Sequence, residues 1–204
     1  MKYPENIRAI AGLNPDYLGF IFYPSSKRYC EPELEQEYIK TLDSAIRTIG
    51  VFVNASFREI MDKVNHYALD GVQLHGEEDP ELCEKLRLQG LLVIKVFSIA
   101  ETFDFTYTEK YTDVCDYFLF DTKTPEFGGS GKTFSWEILS HYKGPIPFFL
   151  SGGLGEDHIH ALKNFKHPMF YAVDINSRFE TAPGQKDDEK VKGFINNIRH
   201  EIHG

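Results

Sequence analysis

The densest chemistry lies in Asp121-Thr122-Lys123-Thr124-Pro125-Glu126-Phe127-Gly128-Gly129-Ser130-Gly131-Lys132. The run before it, Tyr117-Phe118-Leu119-Phe120, has the length and continuous apolar character of a strand buried on both faces. Asp121 therefore stands where a strand gives way to a glycine-rich loop. A carboxylate there is either a solvated turn residue or cap, or a general acid held at the mouth of a parallel barrel. Gly128 and Gly129 let backbone N–H groups approach a ligand closely. Gly131-Lys132-Thr133 has the tail of a P-loop, but that motif needs glycine five positions before Gly131, where Glu126 stands. The P-loop reading is excluded.

Polar residues recur at the other strand ends. Gln73 and His75 close an apolar segment, and Arg28 lies in the loop after Tyr17–Phe22. Ser151-Gly152-Gly153 and Asp174-Ile175-Asn176-Ser177 close the last two strands. In phosphate-binding barrels those last two loops hold the phosphate, with exposed N–H groups such as those of Gly152 and Gly153. The bland alternative is a tight strand-to-helix turn. Arg28 is either a bidentate partner for a substrate carboxylate or a solvated loop arginine. His75 is either a general base or a histidine that only bonds a neighbouring loop. His158 and His160 are two apart on a helix and point to different faces, so they are not metal ligands. No other metal-ligand spacing appears.

The elements that must position these residues alternate. Seven strands are predicted: residues 17–22, 49–53, 71–75, 91–96, 117–120, 146–150 and 170–174. Eight helical segments accompany them, at about 4–13, 33–42, 57–67, 80–88, 101–112, 136–142, 158–164 and 187–202. Strict alternation points to a parallel sheet in an α/β protein. The helix-first order has a consequence: a (β/α)₈ TIM barrel opens on a strand, so its first strand is missing from these residues. An open doubly wound sheet is the alternative. No linker or composition break divides residues 1–204, which read as a single TIM-barrel domain.

Composition narrows the partners. With 42% hydrophobic residues the chain can build one sizeable core, and a formal charge of −9 argues against nucleic acid or an anionic membrane. No run is long enough to span a membrane, and no signal-peptide core opens the chain. Three cysteines without Cys-x-x-Cys spacing fit a reduced, cytoplasmic protein.

The segments Asp16–Pro24 with Ser26-Lys27-Arg28-Tyr29, Gly50–Asn54, Val72-Gln73-Leu74-His75-Gly76, Leu119–Lys123, Gly128-Gly129-Ser130-Gly131, Ser151–Leu154 and Pro183–Asp187 occur in an order that resembles the phosphoribosylanthranilate isomerase family of tryptophan biosynthesis. The resemblance covers nearly the whole chain. It implies a (β/α)₈ barrel and an Amadori rearrangement of N-(5-phosphoribosyl)anthranilate, with no metal or cofactor. Asp121 matches the family's general acid and Arg28 the arginine that meets the anthranilate carboxylate. Gly152, Gly153 and the loop of Asp174, Asn176 and Ser177 match the phosphate cradle, and Gln73, His75, Gly128 and Gly129 join the substrate site. The loop departs from the commoner Asp-Val-Ser-Ser-Gly, reading Asp174-Ile175-Asn176-Ser177-Arg178. Other readings are another phosphosugar isomerase or epimerase, or a non-catalytic phosphoribosyl-binding barrel. A monomer is expected for the complete enzyme; in a form without its first strand the gap is open to three fillings, by Met1–Pro4, by closing of the flanking strands, or by a second chain in a dimer.

The family opens on a strand ending in Cys-Gly, whose cysteine is the general base. Met1–Asn6 aligns with the residues directly after that Cys-Gly, and Cys30, Cys83 and Cys115 are poor substitutes by position. The missing strand and the missing cysteine are thus one omission, and the chain as given is expected to be weakly active. The DNA directly upstream of the Met1 codon is expected to encode, in frame, a short apolar strand ending in Cys-Gly. A stop codon close to Met1 in that DNA contradicts this.

Overall fold

A computed structural model describes residues 1–100, 102–122 and 136–202. Seven parallel strands form one sheet in sequence order: β1 (Tyr17–Ile21), β2 (Arg47–Phe52), β3 (Gly71–Leu74), β4 (Leu92–Ile99), β5 (Tyr117–Thr122), β6 (Phe148–Ser151) and β7 (Phe170–Val173). The helices are α1 (Pro4–Ala11), α2 (Gln36–Lys40), α3 (Phe57–Tyr67), α4 (Pro80–Arg87), α5 (Ile159–Asn164) and α6 (Asp188–Ile202). Their sequences set their ends. Ser56 and Glu59 cap α3 reciprocally, and Asp79 caps α4 with Pro80 in its first turn.

The sheet curls until its two edges face each other, and the Tyr17 and Tyr171 hydroxyls on β1 and β7 lie 3.2 Å apart. Among the described residues β1 pairs with no strand but β2, apart from an isolated bridge between Ile21 and Tyr29, and β7 pairs only with β6, so the barrel has seven strands and a gap. This is the barrel lacking one strand that the element order implies. Met1 is buried at the gap, and its amino group donates to the Gly19 carbonyl on the free edge of β1 at 2.9 Å.

Alternate residues of each strand enter two different cores. Ile49, Ile94, Val96, Leu119 and Phe149 pack together inside the curl, with Tyr17, Tyr117 and Ala172 against them. Leu18, Phe20, Val72, Leu74, Phe118, Phe120, Phe148 and Leu150 face the helices, where they meet residues such as Ile7, Ile60, Leu86, Leu162 and Phe194. The continuous apolar runs of the sequence reflect burial on both faces.

Three differences from the predicted elements have local causes. The segments at 101–112 and 136–142 are short 3₁₀ helices, Phe105–Tyr111 and Trp136–His141. The first is rich in Thr and aromatic residues, which lose rotamer freedom in an α-helix. β6 begins at Phe148 rather than Ile146, because Pro147 has no N–H to donate to the sheet. A small antiparallel hairpin, β8 (Glu180–Ala182) and β9 (Gln185–Lys186), comes after β7 and is absent from the predicted elements.

Candidate active site

Strand parity aims the candidate residues. Asp121 shares a face with Leu119, and its register neighbours are Ser98 on β4 and Ser151 on β6. Gln73 aligns with Val51 and Ile94, so it too faces the interior, and His75 comes two residues later at the strand end. Gln73, His75, Asp121, Ser151, Gly152 and Arg28 all line one cavity of about 620 Å³ that runs from the C-terminal strand ends along the gap between β1 and β7 as far as Asp16 and Arg199. A second hollow, lined by Trp136, Tyr142 and His167, holds none of the candidate residues.

His75 Nε2 lies 3.4 Å from Asp121 Oδ2, with both side chains about one third exposed to the cavity. On β6 and β7, Ser151 Oγ donates to Asp174 Oδ2 at 3.0 Å. Burial pushes the Asp174 carboxyl above its ordinary value, against the Ser151 hydrogen bond and the Lys186 charge. Gly152 and Gly153 adopt φ of 110° and 65°, the left-handed region that glycine enters without a Cβ penalty. Asn176 and Ser177 also line the cavity, with Ser177 beginning a 3₁₀ turn to Phe179. Gly128 and Gly129 lie outside the described residues.

The hairpin after β7 supplies residues that sequence reasoning passed over. Glu180, with a side chain only 4% exposed, accepts from Arg28 Nε at 2.8 Å and pairs with a terminal guanidinium nitrogen at 2.6 Å. Lys186 Nζ donates to Glu180 Oε1 at 3.1 Å and to Asn176 Oδ1 at 2.6 Å. Arg28 and Asn176, far apart in the sequence, are thereby tied through Glu180 and Lys186. Arg28 and Lys186 here face the carboxyl groups of Glu180 and Asp174, so an anionic ligand would be recognised by directed N–H groups rather than by net charge. Arg178 joins the two last loops, meeting Asp157 Oδ1 at 2.9 Å and the Gly153 carbonyl at 3.4 Å. The only sequence signal for the hairpin is Pro183-Gly184-Gln185-Lys186-Asp187, where Gly184 has a φ of 85° and donates its N–H to Glu180.

Cys30, Cys83 and Cys115 are all buried in the layer between sheet and helices, and none lines the cavity. Burial pushes the Cys30 thiol up to about 12. Among the described residues no group of three or more His, Cys, Asp or Glu side chains is placed to hold a metal ion. Nor is any described helix long and apolar enough to cross a membrane.

A curled parallel β/α sheet with polar side chains gathered at its C-terminal strand ends defines a TIM-barrel enzyme scaffold. The family model described as N-(5'phosphoribosyl)anthranilate (PRA) isomerase matches residues 2–197, and the chain belongs to that family. It is 49% identical over 202 residues to the N-(5'-phosphoribosyl)anthranilate isomerase of Phocaeicola vulgatus, covering 99% of this chain and 96% of the relative. The crystal structure of the Thermotoga maritima phosphoribosyl anthranilate isomerase superimposes with a TM-score of 0.85 at 37% identity, over 98% of this chain and 96% of that one. A phosphoribosyl anthranilate isomerase in complex with reduced 1-(o-carboxyphenylamino)-1-deoxyribulose 5-phosphate gives 0.83 at 32%, over 98% and 95%.

The Glu180 contacts carry a pH signature. Burial alone raises its carboxyl, but the Arg28 hydrogen bond and the Lys186 charge outweigh burial and hold it below the ordinary 4.5. A carboxyl depressed in the folded state stabilises above its unfolded value and loses that contribution as pH falls through the folded one. Between about pH 5 and about pH 3, urea unfolding is expected to show wild type losing more stability than Glu180→Gln. Parallel pH profiles for the two proteins contradict the pairing.

Proposed function

We propose that the chain converts N-(5-phosphoribosyl)anthranilate into 1-(2-carboxyphenylamino)-1-deoxyribulose 5-phosphate at this cavity. The reading rests most on one observation: strand parity brings Asp121, His75 and Gln73 to one cavity wall, between Arg28 and the loops after β6 and β7. The substrate carries a carboxylate and a phosphate, and the cavity lining offers Arg28 for the first and the loops after β6 and β7 for the second.

Asp121, as general acid, gives a proton to the furanose ring oxygen. The C1–O bond breaks and the amine lone pair forms C=N, leaving a protonated Schiff base. A base then takes the C2 proton, the C–H electrons forming a C1–C2 double bond while those of C=N return to nitrogen. The resulting enolamine tautomerises to the ketone. C1 is reduced and C2 oxidised within one molecule, so no external redox partner is required. His75 beside Asp121 orients that carboxyl and contacts the sugar. Arg28, held by Glu180, meets the anthranilate carboxylate with its remaining N–H groups. The backbone N–H groups of Gly152 and Gly153, with Asn176 and Ser177, take the phosphate, and Gln73 lies between the two ends.

The base for the C2 proton is a cysteine in the family pattern. Cys30 does not fill that place, since a thiol pushed up to about 12 supplies almost no thiolate at neutral pH.

Asp121→Asn keeps the shape of the side chain and removes its proton. General acid catalysis contributes about 10²–10⁴-fold, and a fall in kcat of that order is expected with product affinity nearly unchanged. A kcat within about threefold of wild type takes the acid role away from Asp121.

A further inference from the structure

Behind the cavity wall, on the helix-facing side of the sheet, lies an ion pair that takes no part in the proposed reaction steps. Lys95 on β4 and Glu78 in the loop after β3 have side chains 2% and 1% exposed, with Lys95 Nζ 3.1 Å from Glu78 Oε2. Lys95 Nζ also donates to the carbonyls of Leu74 at 3.2 Å and Gly76 at 2.8 Å. The Glu78 carboxylate accepts the N–H groups of Gly76 at 2.9 Å and Asn54 at 2.9 Å.

These bonds converge on the two peptide planes that flank His75. The plane between Leu74 and His75 is held by Lys95 at its carbonyl and by the His75 N–H donating to the Phe52 carbonyl at 2.8 Å. The plane between His75 and Gly76 is held at its N–H by Glu78. Two planar peptides leave φ and ψ as the only soft angles of His75. With both planes anchored from outside, both angles are set, and so is the direction in which the side chain leaves the backbone. A Cβ at Gly76 would strike Asn54 Oδ1, which itself accepts the Glu77 N–H at 2.7 Å, so this turn admits no bulkier residue without moving.

An apolar pair of similar volume is often as stable as a buried ion pair, or more so. Stability alone therefore does not explain Lys95 and Glu78. Apolar side chains could not hold three backbone groups around one residue. We propose that Glu78 and Lys95 are positioning residues that fix His75 against Asp121 from outside the cavity. The proposal rests on the role of His75 in the proposed isomerisation.

A double-mutant cycle tests it, with kcat and KM for N-(5-phosphoribosyl)anthranilate measured on protein shown by urea unfolding to be folded under assay conditions. Glu78→Gln is expected to lower kcat by roughly 10-fold to 100-fold, the scale of a small misplacement at a catalytic centre, with KM changed by less than about threefold. In a His75→Ala background, itself slowed by a similar factor, Glu78→Gln is expected to cost less than about twofold more. If Glu78→Gln does not fold, Lys95→Met/Glu78→Gln, which leaves no buried charge, carries the same comparison. An equal loss in both backgrounds shows that the pair acts elsewhere and overturns the proposal. So does wild-type kcat per folded molecule in the Glu78 variant, the result a merely structural pair gives. Wild-type kcat in His75→Ala removes the role of His75 and the proposal with it, while leaving the Asp121 reading to its own test.

Discussion

A strand packed on both faces sends successive side chains into two different cores, and the rest of this structure depends on that constraint. Phe118 and Phe120 must meet the helices, so Leu119 and Asp121 must face the interior. A shift of one residue would place Asp121 among the helices and Phe120 in the cavity. Parallel register with β4 and β6 carries the same parity to the neighbouring strands, which is why Ser151 reaches the same cavity wall. Apolar packing along each strand thus fixes where the polar residue at its end points.

Beyond the strand ends, direction is set by polar networks instead. Arg28 sits in a loop with no packing face of its own, and its guanidinium is held by the buried carboxylate of Glu180. Lys186 offsets that carboxylate and reaches Asn176 in the loop after β7. Glu180 is deeply buried and paired, so losing either cation would leave an uncompensated charge. Behind the opposite wall, Glu78 and Lys95 hold the His75 turn in the same manner. The cavity is framed by two buried charge networks, one tying Arg28 to the loop after β7 and one behind His75, and by the parity rule of the strands.

Much of this is legible from residues alone. The seven strands follow from apolar runs bounded by turn residues, and Asp121, Gln73, His75 and Ser151 from polar residues at strand ends. The gap between β1 and β7 follows from counting elements, since a chain that opens on a helix leaves one place in an eight-strand barrel unfilled. Glu180 is not legible, because its importance lies in pairing across 152 residues with Arg28, a separation no local pattern encodes, and Lys186 matters through its bonds to Glu180 and Asn176. Lys95 is hidden in the run Leu92–Val96, where a charged residue reads as a surface position. The 3₁₀ segments read as helices because side-chain periodicity hardly separates the two over two turns.

The central claim is that one cavity holds a carboxylate at Arg28 and a phosphate at the loops after β6 and β7. A crystal structure of this chain with reduced 1-(o-carboxyphenylamino)-1-deoxyribulose 5-phosphate tests it most directly. The account predicts the anthranilate carboxylate on the Arg28 guanidinium and the phosphate on the N–H groups of Gly152 and Gly153. The sugar chain should then pass Asp121 and His75. A ligand bound elsewhere, or one reversed with its phosphate on Arg28, would contradict it.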